Sequence, residues 1–436
     1  MQRRYSQLVQ SHLQAVQGLA SGIHGLPDAQ VPFAATIGAH RFLNNDRVSL
    51  AALAEPLIEA VRQEASSMCD RYLLVVHDWS QLMYPEHTSK KDRAQLSSKH
   101  VPEGYELQAA LAVSDRAGSP LGPLALSLRA ADGVHCSRTD RIRPALSPLD
   151  ELDPAMRFIE SRNLGRPLVH IIDAEADSVG HFRQWSACPG RSYLVRADDR
   201  IVERAGQEQK FSQILQGLRK RQMLRQCREV LYHGRAAWQW VAEAPVTLTR
   251  AAQRNRPKAG DRRRIPGAPL ALRLIISEVR DARGRVLAVW YLLSNLPADV
   301  TADTVALWYY WRWQIESYFK LLKSAGLQVE SWQQTTAAGI ARRLLVASMA
   351  CVTVWRLSRS THPQAAAARK FLVRLSGRQM KHKIEFTKPA MLAGMWILLA
   401  MLEALQTYTL DELRQFAAIC LPQPHPPPHR KRSNLC

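Results

Sequence analysis

The chain has 436 residues, 46% of them hydrophobic, which is enough apolar material for a large core in two or three domains and too much for a disordered chain. Its 59 Lys and Arg against 38 Asp and Glu give a formal net charge of +21, so a polyanionic partner is expected, nucleic acid first and an anionic membrane surface second. Scattered cysteines with no Cys-x2-Cys pair argue against a disulfide framework and a zinc site, and the start MQRRYSQLVQ has no apolar signal core, so a reducing cytoplasm is the expected compartment.

In chain order, residues 1–70 read as helical: Leu8, Leu13, Val16 and Leu19 form one apolar series, Leu50, Leu53, Leu57, Ile58 and Val61 another, with Ser49 as the N-cap of the second. The run YLLVV at 72–76 is strand-like and leads into His77 and Asp78. Two further strand-like runs, LQAALAV and PLALSL, flank the turn signal DRAGSP. PLVHII from Pro167 is a second buried-strand run, ending at Asp173 in DAEAD. Taken singly, each aspartate is as well explained by a turn or a helix cap as by chemistry. YLVRA from Tyr193 is another strand; residues 200–286 then mix a basic helical segment with strand-like runs and the arginine-rich RNRPKAGDRRR. VLAVWYLLS carries Trp290, a residue type that is most often core in an apolar strand.

The segment YYWRWQIESYFKLLK, residues 309–323, reads as one amphipathic helix. At about 100° per residue, Tyr309, Arg312, Glu316, Lys320 and Lys323 share an arc of roughly 80°, opposite Trp311, Ile315, Tyr318 and Leu322. That polar face suits either a salt-bridged surface or a site at which Glu316 holds a metal while the cations meet phosphates. The apolar stretches at 344–355 and 391–402 are too short for a membrane span and read as buried helices, and the tail LPQPHPPPHRKRSNLC reads as unstructured.

The spacing Tyr309-x2-Arg312-x3-Glu316-x6-Lys323 resembles the YREK signature of a group of bacterial insertion-sequence transposases, the hairpin-forming, cut-and-paste DDE enzymes. The resemblance implies an α/β fold: an RNase H-like catalytic core at 71–199 and 287–335, interrupted by a mainly β insertion domain at 200–286. A helical DNA-binding domain at 1–70, a helical dimerisation region at 336–420 and a disordered basic tail at 421–436 complete it. It implies that Asp78, Asp173 and Glu316 are the catalytic triad and bind two Mg²⁺ or Mn²⁺ ions, for which hard carboxylate oxygens are the fitting ligands. Tyr309, Arg312, Lys320 and Lys323 would grip DNA phosphates, Arg196 would contact transposon-end DNA, and Trp290 would stack on a base flipped from the hairpin. The implied partners are double-stranded DNA, both transposon-end inverted repeats and target, and a second copy of the chain in a synaptic homodimer, with no membrane. In the N-terminal region, Arg41, Phe42 and Asn45 match a family segment.

The sequence also departs from the family: Ala174 stands where Arg is common, Trp79-Ser80 replace Thr-Thr, and a helix usually found ahead of the Arg3-Arg4 pair is missing. The last departure motivates a second reading, a catalytically impaired DNA-binding regulator or relic. A repair or resolving nuclease on the same fold is a third, disfavoured by the signature spacing.

Overall fold

A computed structural model describes residues 30–85, 87–96, 103–143, 148–253, 264–323, 326–381 and 384–420. The apolar series at Leu8–Leu19, most of the arginine-rich segment and the tail at 421–436 lie outside the described residues.

The organising strand is β1 (Leu73–Met83), which opens with four buried aliphatic residues. A run with no polar alternate must be covered on both faces. Successive side chains of a strand point to opposite sides, and here Leu74 and Val76 enter the main core while Leu73 and Val75 enter a second core on the other face. To one side β1 pairs antiparallel with β2 (Gly104–Ser114), which is followed outward by β3 (Pro120–Ala130), β4 (Gly133–Cys136) and β5 (Asp140–Ile142). To the other side it pairs in parallel with β6 (Leu168–Ile172), and β6 pairs in parallel with β7 (Ser192–Ala197).

The remaining strands are β8 (Ile201–Arg204), β9 (Gln207–Lys210), β10 (Arg225–Tyr232), β11 (Arg235–Leu248), the short β12 (Ala252–Gln253) and β13 (Arg264–Ile265), β14 (Leu270–Arg280) and β15 (Val286–Ser294). Among the described residues, thirteen strands form one sheet running β5-β4-β3-β2-β1-β6-β7-β15-β14-β11-β8-β9, with β10 beside β11. The segment 200–286 is mainly β, but it extends the central sheet: β15 bonds to β7 on one side and β14 on the other, and Ile172, Val195, Ala244 and Ile276 share one core.

The helices are α1 (Gln30–Leu43), α2 (Leu50–Met68), α3 (Leu152–Glu160), α4 (Val179–Ser186), α5 (Phe211–Lys220), α6 (Ala302–Tyr310), α7 (Trp313–Leu322), α8 (Ala337–Arg359), α9 (Ala365–Leu375), α10 (Lys388–Thr407) and α11 (Leu410–Cys420). Ser49 caps α2 as expected, its hydroxyl accepting from Ala52 N. The described part of 1–70 is not a separate body. Phe42, Leu43, Leu53 and Leu57 belong to the main core together with Leu344 and Ala347 of α8. Buried Arg342 of α8 donates to the carbonyls of Leu43 and Val48, each at 2.9 Å, tying down the α1–α2 connection.

Two helices correct the reading of the apolar stretches. Capped by Thr336 and Thr387, α8 and α10 run 23 and 20 residues, so by length and composition both are long enough to cross a membrane. α8 is buried against the sheet, whereas α10 buries only its first turns and exposes Met401, Leu402 and Leu405.

Candidate active site

Strand register alone brings two of the carboxylates together. His77 is level with Ile172 across the parallel β1–β6 pair, so Asp78 and Asp173, one residue further along each chain, stand side by side on strands about 4.8 Å apart. Val195 of β7 is level with Ile172, which adds Arg196 to the same row. All three have the parity of Val76, Ile171 and Leu194, the residues that enter the main core, so they face the side on which α6, α7 and α8 pack.

Glu316 arrives on α7, and the route there differs from the single helix expected over 309–323. α6 ends at Tyr310 and α7 begins at Trp313. Between them Arg312 N bonds to Tyr309 O, Gln314 N to Trp311 O and Ile315 N to Arg312 O, all three-residue steps, so the helix tightens locally rather than turning away. The indole of Trp311 lies on the β2–β3 turn at Gly118, where an added Cβ would stand 2.5 Å from ring carbons. This tightened step turns Arg312 inward.

Arg312 is 5% exposed and its fork touches all three carboxylates. Nη1 donates to Asp78 Oδ2 at 2.8 Å, and Nη2 lies 3.1 Å from Glu316 Oε1 and 3.2 Å from Asp173 Oδ2. Asp78 Oδ1 accepts from Trp79 N at 2.8 Å. Asp173 Oδ1 is held by Ala174 N at 2.7 Å and by the Tyr309 hydroxyl at 3.1 Å, with Arg196 Nε 2.7 Å away. Burial pushes the carboxyls of Asp78 and Glu316 up from their ordinary values, although Arg312 pulls both down. Burial and the Asp173 charge push the Tyr309 phenol well up, so it is a donor. A fourth carboxylate, Glu175, is also raised, by burial and then by the charges of Asp78 and Asp173.

Asp78, Asp173, Arg312 and Glu316 line a cleft of about 540 Å³ together with Trp79, Ser80, Phe319 and Lys320. A larger hollow of about 820 Å³ lies beside Asp46, Asp140 and Arg342 and contains none of the triad. Behind the row, on the opposite strand parity, His77 Nε2 and His170 Nδ1 stand 2.9 Å apart. Glu160 follows, gripped by both Arg191 Nε and Nη2 at 2.7 and 2.8 Å. Burial lowers the pKa of both imidazoles, and His170 Nε2 also stands 3.3 Å from Glu160 Oε1.

Several expected roles look different once the residues are placed. Arg312 and Arg196, expected on DNA, bind the triad carboxylates. Lys323 Nζ donates to Gln81 O at 2.6 Å and pairs with Glu330 at 3.1 Å, fastening the end of α7 to β1. Lys320 is exposed on the cleft and makes no ion pair among the described residues. Trp290, 9% exposed, sits in the main core with its ring 5.7 Å from Tyr309, so it presents no open face for a base here. Periodicity had no means of finding the carboxylate–Arg312 contacts or Tyr309–Asp173, because they depend on strand register and on the local tightening.

Residues 74–353 match the family model described as "Transposase DDE domain". The chain belongs to the DDE transposase family. No curated protein matches the sequence. Among solved structures, the cryo-EM piggyBac transposase synaptic complex with hairpin DNA is similar at 11% identity over 97% of this chain and 77% of that one, with a TM-score of 0.39, a distance at which no residue can be carried across.

In kind, the donor set at this site suits a hard divalent cation: three carboxylates, each turning one oxygen to the Arg312 fork, with no softer ligand among them. Their spacing is that of a guanidinium cage. Among the described residues no three Asp, Glu, His or Cys side chains stand close enough to hold a metal ion as placed.

Proposed function

We propose that this chain is a metal-dependent DNA transposase that cleaves transposon ends and joins them to target DNA through a hairpin intermediate, acting in the cytoplasm as a synaptic homodimer. The observation that carries the reading is the meeting of Asp78, Asp173 and Glu316, from three distant parts of the chain, around one arginine. Supporting an RNase H-like core is the strand order β3-β2-β1-β6-β7, with β2 antiparallel and β6 parallel to β1 and the first aspartate on β1. The hairpin route follows from the resemblance of the Tyr309–Lys323 spacing.

Asp78, Asp173 and Glu316 would hold two Mg²⁺ or Mn²⁺ ions, which would activate the attacking oxygen and stabilise the leaving one. The protein's part is orientation. Tyr309 and Ala174 N fix Asp173, Trp79 N fixes Asp78, and Lys323 pins α7 so that Glu316 keeps its height above the strands. Exposed Lys320 is placed to meet a phosphate entering the cleft.

The test is strand cleavage on the inverted repeats bordering the chain's own gene. Asp78→Ala, Asp173→Ala and Glu316→Ala should each abolish Mg²⁺-dependent nicking while leaving DNA binding largely intact, because binding rests on cations elsewhere. Nicking near the wild-type rate in any one variant would remove that residue from the triad. Undiminished binding with no nicking by the wild-type protein would favour the regulator reading.

A further inference from the structure

Arg312 and a divalent cation make the same demand on the same atoms. The oxygens turned toward the centre of the site, Asp78 Oδ2, Asp173 Oδ2 and Glu316 Oε1, all lie on the Arg312 fork at 2.8–3.2 Å. A Mg²⁺ ion needs such oxygens at about 2.0–2.1 Å, closer than they can gather while a planar guanidinium separates them. Two cations, Arg312 and Arg196, are in ion pairs with the three triad carboxylates, and Glu175 adds a fourth carboxylate close enough to feel Asp78 and Asp173.

The arginine is not a surface side chain that has folded over the cleft. It is 5% exposed, it enters from the tightened step between α6 and α7, and its Nε has no hydrogen-bond partner. With both Nη atoms on the carboxylates and Nε without a hydrogen-bond partner, the hydrogen bonds that hold this buried fork come from the carboxylates, while the Tyr309 and Trp313 rings flank it at 5.9 and 5.6 Å. Removing one side of a buried ion pair is costly because the other charge is left uncompensated, so the fork stays until another cation takes its place.

We propose that Arg312 is a resident counter-ion of the triad and that metal loading is a cation exchange, in which the divalent ion must displace the guanidinium from Asp78, Asp173 and Glu316. This rests on the triad being the metal site. Arg312 thereby sets a threshold for loading: it keeps the carboxylates together without metal and weakens metal affinity while doing so. The alternative, that Arg312 is a strut that prearranges the ligands, predicts the opposite sign when the charge is removed.

The deciding experiment is Mn²⁺ binding to the metal-free full-length protein without DNA, read by the EPR signal of free Mn²⁺ and by calorimetry. Arg312→Gln should bind Mn²⁺ about tenfold more tightly than wild type, since a buried like charge is removed from the site. Arg312→Lys keeps the charge without the three-way fork and should fall between them; melting curves establish which variants are folded, and either one suffices. Adding Asp173→Asn to Arg312→Gln should erase the gain. Equal or weaker Mn²⁺ affinity in a folded Arg312 variant overturns the exchange and leaves the metal site standing. Mn²⁺ binding that is absent throughout, or unaffected by Asp173→Asn, overturns the triad as a metal site and the exchange with it.

Discussion

Trp290 and Asp173 are linked through one hydroxyl. The indole and the Tyr309 ring pack 5.7 Å apart, and Tyr309 donates to Asp173, so a residue expected from the family resemblance to stack on a base is, in the fold, a support for Asp173. Trp290→Ala should therefore cost about 3–5 kcal/mol, the usual penalty for emptying a large aromatic position in a core. Melting temperature should fall, and nicking, hairpin formation and hairpin opening should decline together; Trp290→Phe should recover most of the stability. A variant that melts like wild type and nicks normally but fails only at the hairpin would restore the base-stacking role. Asp78 and Asp173 each follow a strand-like run, LLVVH and LVHII, but locally a turn or a helix cap explained either one; the order of the segments and the family resemblance singled them out. The pairing of Arg196 with Asp173 was not readable, since it follows from the register of β7 against β6, which no local pattern encodes.

At the scale of elements, the signature segment was readable as a helix with a polar face, and its apolar side was correctly composed: Ile315, Tyr318 and Leu322 are buried. Its interruption was not readable, and the residue packed against it lies far off in the chain. Gly118 has a left-handed φ of 63°, and its missing Cβ is the space taken by the Trp311 ring. Gly118→Ala pays twice, for a backbone conformation that L side chains avoid and for an overlap with the ring. The expected cost is about 1–3 kcal/mol, with a displaced Trp311 and a loss of nicking larger than the melting temperature explains, since Arg312 is the next residue. Trp311→Leu in the Gly118→Ala background should recover part of the stability by relieving the overlap. If Gly118→Ala lowers the melting temperature without touching the rate per folded molecule, the tightened step does not position the triad.

For the whole molecule, composition foretold a basic protein with a large core, and both hold, but it could not say how the charge is spent. Arg191, Arg312, Arg342 and Arg343 are buried, and Arg196, Arg200 and Arg273 sit in ion pairs with Asp173, Asp177 and Glu243. The strands of 200–286 and helices α1 and α2 extend shared cores instead of closing their own. Each of those ion pairs already cancels within the net charge of +21, so the excess that a polyanion would meet is carried by cations outside these pairs. Affinity for duplex DNA should still fall steeply with salt, since a protein making six to ten phosphate contacts loses roughly 10³–10⁵ in affinity between about 50 and 200 mM salt. Glu316→Ala and Asp78→Ala should give salt plots parallel to wild type, because the triad's own cations are turned inward and do not belong to the binding set. Fluorescence anisotropy across a salt series measures both slopes. A flat wild-type plot would mean that the arginines are spent inside the fold and would remove the polyanion reading, whereas a changed slope in the triad variants would mean that Arg196 and Arg312, once released from their carboxylates, join the phosphate contacts.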